Sequence, residues 1–473
     1  MRRNREAGWE KQVENLAGRR GFGSGAAVGV QPTWRAGLAN LIIVLLLAFP
    51  GTGLLGAADW SRFRGPNGSG IAVDAEPPTS WSDSENLKWK LALPGPGSSC
   101  PIVSGDRVFV TCYSGYGDGK GGDDMEKLQR HLVCVDRGSG KVLWDRAVPA
   151  EMPEDSYSGN LREHGYASNT PVTDGERIYV FFGKTGVLAF DLEGKQLWKV
   201  GVGKQSSNRR WGSGSSLILH GNLVIVNAAE ESRSIRALEK GTGREVWKTE
   251  VGSLELSFVT PTLVECEGGR VDMVVAVPGE IWGVNPDTGK LRWFVQSGID
   301  GNVSPSIIAA DGIVYATGGY PRQGTVAVRA GGKGDVTQSN LLWTSQSASY
   351  VPSPVLEQGH LFVVSDQGFA MCLDAKSGKT VYRERLPGVG GGKPFYASAV
   401  LANGRWYALS RRNGTFVLEA KPEFKLAAQN RIAGDDSDFN ATPAIAGRQL
   451  FLRSNRALYC IEAVQTAGAE KTK

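Results

Sequence analysis

Histidine is scarce in this chain, with four residues in 473, beside five methionines and six cysteines. No Cys-x-x-Cys pair and no Cys/His cluster with metal-ligand spacing occurs, which excludes the usual zinc sites. Gly-x-Ser-x-Gly, His-Glu-x-x-His and glycine-rich phosphate loops are also missing. The linear signatures of α/β-hydrolases, zinc peptidases and P-loop enzymes are therefore absent. No long apolar pattern of period 3.6 runs through the body, so helices should be few. The formal charge of +5 has little surface meaning, because seven Lys/Arg and three Glu fall within residues 1–58. The remainder holds 46 basic and 45 acidic residues. A near-neutral body gives no electrostatic case for nucleic acid, which needs clustered basic surface.

Glycine, at 63 residues, and tryptophan, at 13, are abundant instead. Many glycines with scattered aromatics describe short strands joined by tight turns. Near the start, Leu38 to Phe49 is an uncharged apolar run of 12 residues preceded by Arg35. Pro50, Gly51 and Gly53 interrupt it, and Gly56-Ala57-Ala58 offers small residues for cleavage. Residues 35–58 read as a secretory signal, so export to the periplasm or cell envelope is expected. The alternative is an uncleaved anchor, which would be the chain's one link to a membrane; 12 residues are too few to span a bilayer.

The body repeats itself. CVDRGSGKVLW at Cys134 returns as AFDLEGKQLW at Ala189, ALEKGTGREVW at Ala237, GVNPDTGKLRW at Gly283 and CLDAKSGKTVY at Cys372. Weaker copies begin at Ala327, Val417 and Cys460, and the eight copies are spaced by 43–55 residues. A second signature opens the units, as in CPIVSGDRVFV at Cys100, TPVTDGERIYV at Thr170, SPVLEQGHLFVV at Ser353 and TPAIAGRQLFL at Thr442. Each reads as a strand, a Gly turn and a second strand, with Pro tolerated at the strand start. Units of this length fit four-stranded blades. The expected fold is all-β: an eight-bladed β-propeller of four-stranded blades. The last unit ends after its third strand at Cys460-Ile461-Glu462, and the missing aromatic strand stands at Leu87-Lys88-Trp89-Lys90. The N-terminal strand should therefore close the ring and remove open edges. The domains follow as an extension and signal at 1–58, a leader at 59–86, the propeller at 87–462 and a tail at 463–473.

These A/C-x-D-x-x-T/S-G-x-x-x-W repeats resemble those of the pyrroloquinoline-quinone (PQQ) propellers. That superfamily holds the quinoprotein alcohol dehydrogenases and the assembly factor of outer-membrane β-barrels. The opening Asp59-Trp60-Ser61-Arg62-Phe63-Arg64-Gly65-Pro66-Asn67-Gly68 is similar to a leader of secreted PQQ-like proteins from planctomycete-type bacteria. The resemblance implies fold strongly and function weakly, since the Trp and Gly columns are architectural. The dehydrogenases carry an adjacent cysteine pair beside the cofactor, and no Cys-Cys occurs here.

Candidate site residues come from position. Connections entering the first strands carry Tyr166, Trp211, Phe258, Tyr350, Tyr396 and Phe439, with His164 nearby. Eightfold closure should gather them around the axis on one face. Loops between second and third strands add Lys184, Arg322, Asp366, Arg411, Arg412, Asn413 and Arg453. Aromatic walls with a few polar groups describe a ligand mouth; the plain alternative is aromatics plugging the channel. His220 and His360 fall in Gly turns of the opposite face. The insertion Tyr113–Arg130, with Asp118, Asp123 and Asp124, reads as a solvated loop; calcium is the alternative, but no closing Glu stands at the right place. Cys134, Cys372 and Cys460 occupy the small-residue column and read as buried thiols. Cys112 and Cys134 lie on sequential strands of one blade, where a disulfide is the alternative. The functional expectation is a monomeric binding or scaffold module of the envelope, taking an envelope protein or a small molecule on its loop face. The alternative is an oxidoreductase using PQQ with calcium, an acid serving as general base.

Overall fold

The computed structural model describes residues 59–463 except 121, 123, 159, 160, 162, 163 and 165. The chain divides into residues 1–53 and 54–473, and every described residue belongs to the second. The signal segment 35–58, Asp123 and the tail beyond 463 lie outside the described residues. No described helix is long and apolar enough to cross a membrane.

Eight antiparallel four-stranded blades form the ring. Blade 1 comprises Ile102–Ser104, Arg107–Ser114, Gln129–Asp136 and Val142–Pro149, from axis to rim. Blades 2 to 7 repeat it, with innermost strands opening at Val172, Ile218, Thr262, Ile308, Val355 and Val400. Blade 8 takes Ala444–Ala446, Gln449–Arg453 and Ala457–Glu462 from the C-terminal end, and Leu87–Ala92 as its outer strand. Leu87 pairs with Ile461 and Trp89 with Cys460, so the ring closes through the N-terminal strand as its sequence pattern requires. Helix is confined to two four-residue α-helices and short 3₁₀ turns among the described residues.

The sequence columns have direct structural causes. The small-residue column sits on the third strand directly opposite the aromatic of the fourth: Cys134 faces Trp144, Ala189 Trp198, Ala237 Trp247, Ala327 Trp343 and Cys460 Trp89. A small side chain there leaves room for the indole to lean toward the next blade. The acid of the turn then binds it shut: Asp136 accepts from the backbone and hydroxyl of Ser139 at 2.7 and 2.6 Å. Trp198, Trp247 and Trp293 are buried, and Trp144 and Trp343 half-buried between blades.

All six cysteines are free and buried. Cys112 pairs across the ladder with His131, and Cys134 with Phe109, three positions away along the same strand. The two thiols consequently face opposite sides of the blade, Cys112 packing with blade 8 and Cys134 with blade 2, and the disulfide alternative is geometrically closed. The acids of the blade-1 insertion serve the loop itself. Asp118 accepts the N–H groups of Gly115 and Lys120, and Asp124 caps the turn at Met125–Lys127.

Candidate functional site

An innermost propeller strand has no partner on its axial side, so its polar backbone groups need another source of hydrogen bonds. Here the residue two positions before each innermost strand supplies it. Around the axis these are Cys100, Thr170, Ser216, Thr260, Ser306, Ser353, Ser398 and Thr442. Seven of the eight backbone N–H groups donate to the hydroxyl of the next blade: Thr170 to Ser216 at 3.0 Å, Ser216 to Thr260 at 2.9 Å, Thr260 to Ser306 at 3.3 Å. Ser306, Ser353 and Ser398 continue to Ser353, Ser398 and Thr442, all at 2.9 Å, and Cys100 donates to Thr170 at 2.9 Å. Seven hydroxyls and one thiol thus girdle the axis. Burial raises the Cys100 thiol above its ordinary pKa, against contacts with Thr170 and Thr442.

Above this girdle, on the loop face, opens a cavity of about 440 Å³. Its walls are Trp211, Phe258, Tyr350, Tyr396 and His164, with Lys393 at the side. Trp211 and Phe258 stack at 6.0 Å between centroids, and the Lys393 ammonium lies 4.2 Å from the Tyr350 ring centre. Asn302 donates to the Tyr350 hydroxyl at 2.9 Å and buried Asp366 accepts its backbone N–H at 3.3 Å, which fixes that wall. Desolvation lowers the His164 pKa. Among the described residues lining the cavity there is no Asp or Glu. Ser216, Thr260, Ser306, Ser353 and Ser398 line it, each accepting a backbone N–H and leaving its own O–H proton to donate.

The cavity's floor comes from the leader. Asp59 accepts from Gly105 in blade 1, Ser61 from Thr173 in blade 2, and the Asn67 amide reaches Leu263 in blade 4. Arg64 donates to the Pro354 carbonyl of blade 6, and Ile71–Ala72 adds a parallel strand to blade 7. The segment therefore crosses the axis at the turn face and places Phe63 in the cavity. Arg62, Arg64 and Arg453 are buried here with no carboxylate partner among the described residues. Desolvation holds their pKa values near 10, 9 and 10. Their donors go to carbonyls that lie just before innermost strands, Pro261, Pro354 and Ser99.

Of the residues placed near the axis by sequence position, Trp211, Phe258, Tyr350, Tyr396 and His164 meet at this cavity. The others go elsewhere. Tyr166 turns away into a polar cluster between blades 1 and 3, its hydroxyl donating to the Asp155 carbonyl at 2.7 Å. Phe439 is buried against Tyr459 at the seam of blades 7 and 8. Arg322 is exposed and paired with Asp300 at 3.5 Å. Arg411 and Arg412 both bind Asp438, at 2.6 and 2.5 Å, with Arg411 also over Tyr396 at 5.1 Å. Lys184 is buried on Asp155 at 2.8 Å. Two participants escape sequence reading: Lys393, from an irregular glycine-rich connection, and Phe63, whose leader precedes the repeats. The girdle was visible as the Thr/Ser before the Pro column, but a residue introducing a strand reads as architecture.

The polar cluster around Tyr166 is a separate buried site. Arg130 pairs with Glu154, both nearly inaccessible, and Glu230 accepts from the backbone and hydroxyl of Ser207 at 3.0 and 2.9 Å. Burial pushes the Glu231 carboxyl up to about 8, with Glu230 and Glu154 adding to the rise.

The model of a family described as outer membrane protein assembly factor BamB matches residues 89–255, 129–384 and 332–423, most of the propeller. A polyvinylalcohol dehydrogenase of Sphingopyxis sp. (strain 113P3) is 25% identical over 46% of this chain and 36% of its own length. The outer membrane protein assembly factor BamB of Burkholderia pseudomallei (strain K96243) is 24% identical over 48% of this chain and 58% of its own. The chain thus spans about a third to three-fifths of these curated relatives. In fold it is similar to the crystal structure of BamB from Moraxella catarrhalis, with a TM-score of 0.56 at 12% identity, covering 81% of this chain and 98% of that one. A computationally designed protein, Ika8, gives 0.52 at 12% identity over 78% and 98%.

Proposed function

The chain belongs to the outer membrane protein assembly factor BamB family, and on that footing we propose that it is an exported binding module of the cell envelope whose ligand enters the axial cavity. The observation that supports this reading is the cavity itself: floored by the leader, walled by four aromatic rings, and edged by hydroxyl donors, with no carboxylate among the described residues that line it. Such a mouth suits an apolar or aromatic group bearing hydrogen-bond acceptors, presented by a small molecule or by a segment of an envelope protein. The loops around it differ in length and chemistry from blade to blade, which lets binding diverge without disturbing the strands.

The alternative of PQQ with calcium fits these residues poorly. Calcium takes six to eight oxygen ligands, carboxylates prominent among them, and quinone chemistry wants an acid as general base. Among the described residues that line the cavity there is neither Asp nor Glu to play either part.

The reading is tested by placing a photo-crosslinking residue at position 211 in the full chain, and separately at position 360 on the turn face. Adducts formed in cells from 211 and not from 360 are expected. Adducts confined to 360 would place the functional surface on the wrong side of the ring. A titration with PQQ and calcium, followed by absorbance, should give no saturable change.

A further inference from the structure

Blade 1 carries a side-chain arrangement that the axial cavity does not use. Ser114, at the end of the second strand, places its Oγ 2.8 Å from Nε2 of His131 on the third strand. The other ring nitrogen, Nδ1, lies 3.0 Å from both carboxylate oxygens of Asp145 on the fourth. All three side chains stand on the face of blade 1 that looks toward blade 8. Cross-strand register brings them together from positions that share no linear motif.

The proton positions follow from chemistry. An ionised carboxylate only accepts, so the neutral imidazole must carry its proton on Nδ1 and point it at Asp145. Nε2 is then a bare lone pair, and the 2.8 Å contact is Ser114 Oγ–H donating to it. No other donor or acceptor engages Ser114 Oγ among the described residues, so its remaining lone pairs are open. Asp145 keeps a third of its side-chain surface and His131 about a tenth, which shields the base and leaves the serine at a half-buried surface. Directly after Ser114 the chain enters the turn Gly115–Gly119. The backbone N–H groups of Tyr116 and Gly117 donate there to no protein acceptor among the described residues. Hydroxyl, base, orienting carboxylate and spare amides are the elements of nucleophilic acyl transfer.

We propose that Ser114, His131 and Asp145 form a serine-nucleophile site that hydrolyses exposed carboxylic esters at the seam of blades 8 and 1. In the first half, Ser114 Oγ bonds to the ester carbonyl carbon while its proton passes to Nε2. The carbon–oxygen bond to the alcohol then breaks, and the alcohol leaves with that proton. In the second half, water gives a proton to Nε2 and its oxygen bonds to the acyl carbon. Ser114 Oγ leaves and recovers the proton, so ester and water become acid and alcohol. Ser114 and His131 are the catalytic residues; Asp145 is a positioning residue that sets the tautomer.

The test treats the full chain with a fluorophosphonate serine probe and, separately, with 4-nitrophenyl acetate. A single adduct mapped to Ser114 is expected. Ester hydrolysis should fall at least about a hundredfold in Ser114→Ala and in His131→Gln. Asp145→Asn should lower the rate and flatten its rise with pH, whereas Ser114→Cys should keep reacting, now with iodoacetamide. Tryptophan fluorescence on each variant shows that the propeller is intact. An unlabelled Ser114 in the folded wild-type chain, or hydrolysis by Ser114→Ala equal to wild type, would overturn the proposal and leave the trio as a structural tie between strands.

Discussion

The indole of Trp144 in blade 1 lies flat against Gly194 in blade 2. Its Nε1 donates to the Leu192 carbonyl at 2.9 Å, and a β-carbon on Gly194 would stand 2.8 Å from the ring. The pairing recurs at Trp89 with Gly140, Trp198 with Gly243, Trp247 with Gly289 and Trp343 with Gly378. Each aromatic therefore belongs energetically to the seam with the following blade. Among the tryptophans of this column one departs: Trp293 folds over Gly283 and donates to Asp272 at 2.7 Å, where blade 5 offers Gly334–Asp335 as an added strand in place of the usual turn.

Gly194→Ala should be costlier than an ordinary turn substitution. Gly194 and Gly175 both hold positive φ, at 81° and 89°, but nothing approaches a β-carbon at Gly175. Gly175→Ala should cost about 1–2 kcal/mol from backbone conformation alone. Gly194→Ala should add about 1–3 kcal/mol of overpacking against Trp144. Urea unfolding midpoints of the two variants measure the difference, and equal midpoints would contradict the seam.

Closure of the ring predicts a sharp loss on N-terminal truncation. Removing residues through Ala92 strips the outer strand of blade 8, including Lys88 on Glu462 at 2.6 Å, and leaves Ala457–Glu462 as a free edge. The truncated chain should melt lower and self-associate, since an uncovered strand templates pairing. An unchanged melting temperature with a monomeric elution would contradict closure.

The axial girdle makes its own stability prediction. Ser353→Ala removes the acceptor for the buried Ser306 N–H, which should cost about 1–3 kcal/mol. Ser304→Ala, lining the same cavity outside the girdle, should change stability little. Thermal melts of both variants compare them directly.

Glu231 should make the fold less stable as pH rises. Its folded pKa of about 8 exceeds the ordinary glutamate value of 4.5, so the native state holds the proton more tightly. The contribution is fully present below about 4.5 and is lost as pH climbs through 8. Glu231→Gln keeps the neutral shape and should remove that dependence. Melting temperatures from pH 4 to 9 should converge for the two proteins at the acid end and favour the variant at the alkaline end.

What the sequence determined by itself was the architecture. Eight copies of one pattern impose eight blades, because each copy leaves apolar faces that only neighbouring copies can cover, and the displaced Trp89 strand announces how the ring shuts. The chemistry of the axis was partly legible: Trp211, Phe258, Tyr350 and Tyr396 converge because ring closure brings the connections entering the innermost strands close to the axis. Tertiary structure decided the rest. Tyr166 and Phe439 occupy equivalent positions in their repeats yet turn into the seams, where a carbonyl or another ring satisfies them better than the open mouth. Phe63, Arg62 and Arg64 lie outside every repeat, and only the unpaired inner edges of distant blades explain why they cross the axis. Ser114, His131 and Asp145 likewise meet through strand register, which sets distances that linear spacing does not encode.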